Sequence, residues 1–165
     1  MSTPQIIVVL ILYSIALALA AYFTKPSWRR GAGAGAGGAI AALVLLGAAV
    51  LGNGQEWWRV PIPARPEILA LFYLAGAVSF MPFLLITWRV ARRFGGRGLA
   101  ICLTIITIIG PPRDYLFAAV YPEWMVFSPG VAPILADAAA YFSMFGLGHL
   151  MMRLIAGPAR GDSLQ

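Results

Sequence analysis

Three charged side chains stand inside apolar stretches of this sequence, and they are the residues best able to do chemistry. Arg113 and Asp114 follow a Gly-Pro-Pro sequence, and Asp137 lies in the last apolar stretch of the chain. A charge at the centre of a membrane helix costs roughly 2.5–3.5 kcal/mol on insertion, so it usually marks a functional site or an internal ion pair. The arginine can hold an anionic group, and either aspartate can act as an acid or a base.

The predicted depths of these residues bring them together. With a rise of about 1.5 Å per helical residue, Arg113 lies roughly 20 Å from Leu99, where its segment begins at the inner side. Asp137 lies roughly 9 Å from Val131, where the last segment begins at the outer side. Both fall in the outer third of the bilayer, and we predict that they form an ion pair. The candidate residues for binding a ligand or an ion are Arg113, Asp114, Asp137, Tyr141, Glu123 and Trp124.

This ion pair leaves two interpretations open. It either joins two helices and does nothing further, or it belongs to a site that binds a ligand, an ion or a substrate. The first is the simpler interpretation and is preferred. The Gly110-Pro111-Pro112 sequence is what supports the second, because a proline lacks a backbone N–H and disfavours helical geometry at the residue before it. We predict that the fourth helix is broken there. Transporters hold ions and anionic groups at helix breaks of this kind.

Familiar catalytic and cofactor-binding motifs are missing from the sequence, so its catalytic residues, if it has any, stay unknown. Cys102 is the only cysteine and His149 the only histidine. An intrachain disulfide is therefore excluded, and we predict neither a metal site nor a cofactor. His149 lies one helical turn from Arg153, near the predicted inner surface, and is predicted to be interfacial rather than a ligand.

The composition identifies the surroundings of these residues as a lipid bilayer. Hydrophobic residues make up 61% of the chain and charged residues only 11%, whereas soluble domains have about 45–50% and about 25%. The apolar stretches predict an all-α bundle of five transmembrane helices in a single domain over residues 1–165. The predicted helices are about 6–23, 32–52, 67–88, 99–121 (the broken one) and 131–156.

A run of alternating glycine and alanine from Gly31 to Gly38 could be mistaken for a flexible linker. That interpretation would leave a second helix of only about 13 residues, which is too short to span a bilayer. We therefore predict that the run is helical. Gly31, Gly33, Gly35 and Gly37 are then small residues at i,i+4 spacing, and we predict that they pack closely against another helix.

The distribution of basic residues predicts the orientation. Nine would lie on one side (Lys25, Arg29, Arg30, Arg89, Arg92, Arg93, Arg97, Arg153 and Arg160) and three on the other (Arg59, Arg65 and Arg113). Basic residues favour the cytoplasmic side, so the N-terminus is predicted outside and the C-terminus in the cytoplasm. All five tryptophans fall at predicted helix ends, as an interfacial belt requires.

Three classes of function are compatible with this sequence. The first is an accessory or assembly subunit that packs against other membrane proteins, in keeping with small size and small-residue helix faces. The second is a small oligomeric transporter or channel that uses the broken helix and the polar residues. The third is a membrane enzyme acting on a lipid or isoprenoid substrate. Besides the lipid bilayer, we expect a protein partner or a second copy of the chain; nucleic acid is excluded, because the basic residues lie between apolar segments.

Overall fold

The computed structural model describes residues 3–158. In chain order the elements are α1 (Thr3–Thr24), α2 (Trp28–Gly54), β1 (Trp58–Arg59), α3 (Pro66–Val120), β2 (Val126–Phe127) and α4 (Val131–Ala156). All four helices are long and apolar enough to cross a membrane. A helix satisfies its own backbone hydrogen bonds, which lipid cannot do, and the apolar segments fold accordingly.

The longest helix, α3, folds back on itself at Gly95. This glycine has φ 69° and ψ −161°, which is not helical. The strands β1 and β2 flank α3 and pair antiparallel, with Trp58 opposite Phe127, so the two ends of α3 lie together. A straight helix of its 55 residues would hold them about 80 Å apart. Glycine takes this backbone conformation without the strain that a side chain would bring. The parts on either side are called the first arm (66–94) and the second arm (96–120).

The predicted break at Gly110-Pro111-Pro112 is not found, because all three residues are helical. A proline fixes φ near a helical value, so its effect here is limited to the missing N–H. The departure from helical geometry in α3 lies at Gly95 instead. The predicted helices 67–88 and 99–121 correspond to the two arms, which come within one residue of the corner on each side.

The centre of the bundle is α2, whose glycine and alanine run is helical as predicted. A Cβ at Gly37 would overlap the carbonyl oxygen of Gly148 on α4, and one at Gly33 would lie 3.0 Å from the Met152 carbonyl oxygen. Gly38 faces the first arm in the same way, against the carbonyl oxygen of Ala77. With no side chains between them, the backbones gain dispersion contacts, which are a main source of helix association in lipid.

Two of the four predicted packing glycines do not take part in this contact. A Cβ at Gly31 would meet nothing within 4 Å, and one at Gly35 would meet only the tip of Met81 at 3.9 Å. The reason is geometric, because residues two apart on a helix point about 200° away from each other. Gly33 and Gly37 face α4, so Gly31 and Gly35 cannot.

The loops at the end of the bundle that holds the strands are tied together by hydrogen bonds. Asn53, in the last turn of α2, donates through Nδ2 to the Val60 carbonyl (2.9 Å) and accepts from the Val60 N–H (2.8 Å). The Ser128 N–H donates to the Trp57 carbonyl at 2.9 Å. At the opposite end of the bundle, Arg89 Nη1 donates to the Phe23 carbonyl (3.2 Å), which joins the last turn of α1 to the first arm near the Gly95 corner.

Candidate functional site

A polar cluster joins the second arm of α3 to α4. Arg113 donates from Nη2 and Nε to Asp114 Oδ1, at 2.6 and 2.9 Å. The Tyr141 hydroxyl on α4 donates to the other oxygen of the same carboxylate, Asp114 Oδ2, at 2.9 Å. The Arg113 guanidinium carbon also lies 5.6 Å from the centre of the Tyr141 ring, within range of a cation–π interaction. Both carboxylate oxygens of Asp114 therefore accept hydrogen bonds, one from its own helix and one from α4.

Gly110 positions this cluster. A Cβ there would overlap the Tyr141 ring, so the ring lies directly on the backbone of the second arm. Gly110 and Asp114 are four residues apart and share a helix face, and the same holds for Asp137 and Tyr141 on α4. Tyr141 can therefore contact both residues of the second arm: its ring lies on Gly110, and its hydroxyl donates to Asp114. The sequence contains this i,i+4 spacing, although the glycine was interpreted as part of a helix break.

Asp137 lies beside the cluster without joining its hydrogen bonds. It is 7% exposed, and its buried Oδ2 has no hydrogen-bond partner among the residues that the structure describes. Its carboxylate interacts electrostatically with Asp114, Arg113 and Tyr115, and the buried Tyr115 hydroxyl likewise lacks a partner within the described chain. A buried polar atom without a partner costs about 1–3 kcal/mol, and such groups in native proteins need an explanation.

The predicted ion pair between Arg113 and Asp137 is not formed; Arg113 pairs with Asp114. The Arg113 side chain is 58% exposed, and with the exposed Ile109 and Leu116 it marks the outer face of the second arm. Asp137 faces the inside of the bundle. A long arginine side chain can fold back onto its neighbour in the chain, and that contact needs no second helix. The ion pair was predicted from matched depth, and depth alone does not determine the helix face on which a side chain lies.

Two other predicted site residues lie away from the cluster. Trp124 lies in the turn between α3 and β2, where its ring meets Phe117 edge to face at 5.6 Å. Glu123 is exposed in the same connection between α3 and β2. Within residues 3–158, neither makes a polar contact with Arg113, Asp114 or Tyr141. The site that the structure assembles is therefore smaller than the predicted one.

A second buried polar group lies on α4, toward the C-terminal end of the helix, and its burial was not predicted from the sequence. His149 on α4 is 5% exposed, rather than interfacial as predicted. Its Nδ1 lies 3.2 Å from Thr87 Oγ1, and the Thr87 hydroxyl donates to the Leu84 carbonyl at 3.0 Å. Thr87 has a single hydroxyl proton for these two acceptors, so the donor in the contact with His149 is set by the tautomer of the imidazole. The Trp88 ring lies 5.9 Å from the imidazole.

These groups can bind a ligand or a partner through hydrogen bonds. Arg113 has N–H donors beyond those that Asp114 accepts, and the oxygens of Asp137 and Tyr115 that lack a partner among residues 3–158 can also form hydrogen bonds. Among the residues that the structure describes, no group of three or more His, Cys, Asp or Glu side chains is placed to hold a metal ion. Comparison of the chain with protein families, curated proteins and solved structures finds no match.

Proposed function

We propose that this chain is an accessory or assembly subunit that packs against another membrane protein through the outer face of the second arm. The observation that carries the proposal is the exposure of the Arg113 side chain, which is 58%. It projects from an apolar helix whose neighbouring side chains Ile109 and Leu116 are 58% and 71% exposed. A charged group facing lipid at this depth is costly, and in membrane proteins such groups usually face protein or water.

The chemistry of this face indicates what would cover it. A guanidinium has five N–H donors, and Asp114 receives hydrogen bonds from only two atoms of Arg113, Nε and Nη2. The remaining donors need acceptors, and the apolar residues around them need an apolar neighbour. A transmembrane helix that offers a carboxylate or a side-chain carbonyl at the same depth supplies both. The partner is therefore a membrane helix of another protein with one acceptor among apolar residues.

Site-specific photocross-linking in native membranes tests this association. A benzoylphenylalanine at Leu116 should give a discrete adduct with a foreign protein, and Arg113→Ala should remove most of it. The matched control is Leu12 on α1, which is 59% exposed and also apolar, and which should give only lipid adducts. Adducts of equal strength at both positions, or a Leu116 adduct that persists in Arg113→Ala, would contradict the proposal. An adduct of two copies of this chain would show a homo-oligomer instead of an accessory subunit.

The proposal includes five spans, with both arms of α3 crossing the membrane and the N-terminus outside. It is supported by the hydrogen bond from Arg89 to Phe23, which brings the basic residues of two corners to one end of the bundle. The paired strands lie at the other end, where fewer basic residues occur. Basic residues concentrate on the cytoplasmic side, so the Gly95 corner is cytoplasmic.

Cysteine labelling of intact cells tests the orientation, in a Cys102→Ala background. Single cysteines at Thr3 and Gln55 should react with a membrane-impermeant reagent from outside. Cysteines at Gly96, and at position 162 beyond the described residues, should react only after the cells are opened. Gly96 is chosen because a Cβ there meets nothing within 4 Å, whereas Gly95 has a positive φ. Labelling of position 96 from outside would rule out this arrangement of the arms.

A further inference from the structure

A cavity of about 300 Å³ lies at the end of the bundle where the α1–α2 connection meets the Gly95 corner. Its walls include four arginines, together with Thr24 at the end of α1 and Trp88 on the first arm. The arginines are Arg30, Arg89, Arg92 and Arg93. This volume is at the lower end of the range for small-molecule sites, about 300–1,000 Å³. We call it the arginine cavity.

The polar groups of the arginine cavity are those that bind an anion. Arg30 is charged and only 7% exposed, so it belongs to the walls rather than to the surface. Trp88 is 2% exposed and forms an apolar part of the wall. None of the described residues that line the cavity is acidic. The first turn of α2, to which Arg30 belongs, also has no acidic residue to neutralise its helix dipole.

An apolar groove continues from this cavity between α1 and the first arm. It has a volume of about 350 Å³, and Thr24 lines both it and the arginine cavity. Its other walls include Ala16, Phe23, Pro82 and Ile86. Pro82 and Ile86 precede the arginines of α3 by one to three helical turns, so the groove runs from the arginines toward the membrane centre.

We propose that the arginine cavity and the groove together bind one anionic phospholipid. The phosphate lies among the arginines, while an acyl chain fills the groove. Arginine forms strong charge-assisted hydrogen bonds to phosphate, and basic pockets between transmembrane helices on the cytoplasmic side bind anionic headgroups. An inorganic phosphate would use the arginines alone, whereas a lipid also accounts for the groove. The site is independent of the association through the second arm.

Native mass spectrometry of the purified, delipidated chain measures the binding. Phosphatidylglycerol should bind with one tight site, and phosphatidylcholine much more weakly. Arg92→Gln removes an arginine of the cavity and should weaken phosphatidylglycerol binding about tenfold, as expected for a hydrogen bond to a charged group. The matched control is Arg97→Gln, which removes the same charge near the same surface but outside the cavity. A general attraction to the bilayer surface is worth about fivefold per basic residue and would affect both variants alike.

A second pair of variants tests the groove. Ala16→Phe would fill it and should reduce phosphatidylglycerol binding, whereas Ala18→Phe, exposed on the same helix and outside the groove, should not. Equal binding of the two lipids, or equal losses in Arg92→Gln and Arg97→Gln, would overturn the site. Full displacement of the lipid by millimolar inorganic phosphate, with no effect of Ala16→Phe, would show a free-phosphate site and overturn the lipid assignment.

Discussion

Replacing Gly37 by alanine should lower the free energy of unfolding by about 3 kcal/mol, although it adds a single methyl group. The new Cβ would overlap the carbonyl oxygen of Gly148 and lie 2.9 Å from Leu84 Cδ1. Two backbones meet there, so neither can yield without moving its helix. In lipid the contact between α2 and α4 is stabilised by van der Waals packing rather than by the hydrophobic effect. Moving the two helices apart therefore removes that stabilisation directly. Thermal unfolding of the purified chain in detergent measures the change.

Gly35→Ala is the matched control, two residues away on the same helix. Its Cβ would have only the Met81 methyl near it, at 3.9 Å. The variant should be as stable as the parent or slightly more stable, because alanine has the higher helix propensity. Similar losses for Gly35→Ala and Gly37→Ala would mean that α2 does not face α4 in the register described. Gly146→Ala on α4, where a Cβ meets nothing within 4 Å, extends the same comparison to the other helix.

Asp114→Ala should be the most damaging single change in the polar cluster, at about 3 kcal/mol. It leaves the Arg113 guanidinium without its carboxylate and the Tyr141 hydroxyl without its acceptor. Stranding one partner of a buried pair costs roughly 3–5 kcal/mol, and the lower end applies here because Arg113 can extend toward the membrane surface. The double variant Arg113→Ala/Asp114→Ala should recover much of the loss. Thermal or denaturant unfolding of the single and double variants provides the measurement.

A double-mutant cycle between Arg113 and Asp137 is the control for this prediction. Arg113 and Asp114 share two hydrogen bonds, so their coupling energy should be about 2 kcal/mol, whereas Arg113 and Asp137 share none and should couple by less than about 1 kcal/mol. If Arg113 couples more strongly to Asp137 than to Asp114, the ion pair predicted from matched depth is correct and the Arg113–Asp114 pairing in the structure is wrong. Asp137→Asn alone should not destabilise, because it removes a charge from a carboxylate whose Oδ2 has no partner.

Membrane location, all-helical class and most helix bounds follow from the sequence because they depend on composition and length. The last helix is predicted at 131–156 and observed at Val131–Ala156. The glycine and alanine run is predicted helical because a shorter helix could not span, and it is helical. These inferences need only the thickness of the bilayer and the cost of unpaired backbone groups in lipid.

What the sequence does not determine is the direction in which each side chain points. Gly33 and Gly35 both lie between two alanines in the sequence, but only Gly33 meets α4. In the same way, Arg113 and Asp137 were predicted at one depth, but one faces outward and the other inward. In a helix that is apolar on all sides, hydrophobic periodicity does not mark a buried face, so the usual signal for orientation is missing. The same limit applies to His149, whose contact with Thr87 joins residues from different helices.

The packing of α1 has a consequence for how the protein is made. This helix contacts α3 far more than any other element, and its groove partners Pro82 and Ile86 are synthesised only after all of α2 and the connection that follows it. During synthesis α1 is therefore made before its neighbour exists. If the groove holds a lipid as proposed, the two helices would close around it when the first arm arrives. Its composition would then record the membrane in which the chain was assembled.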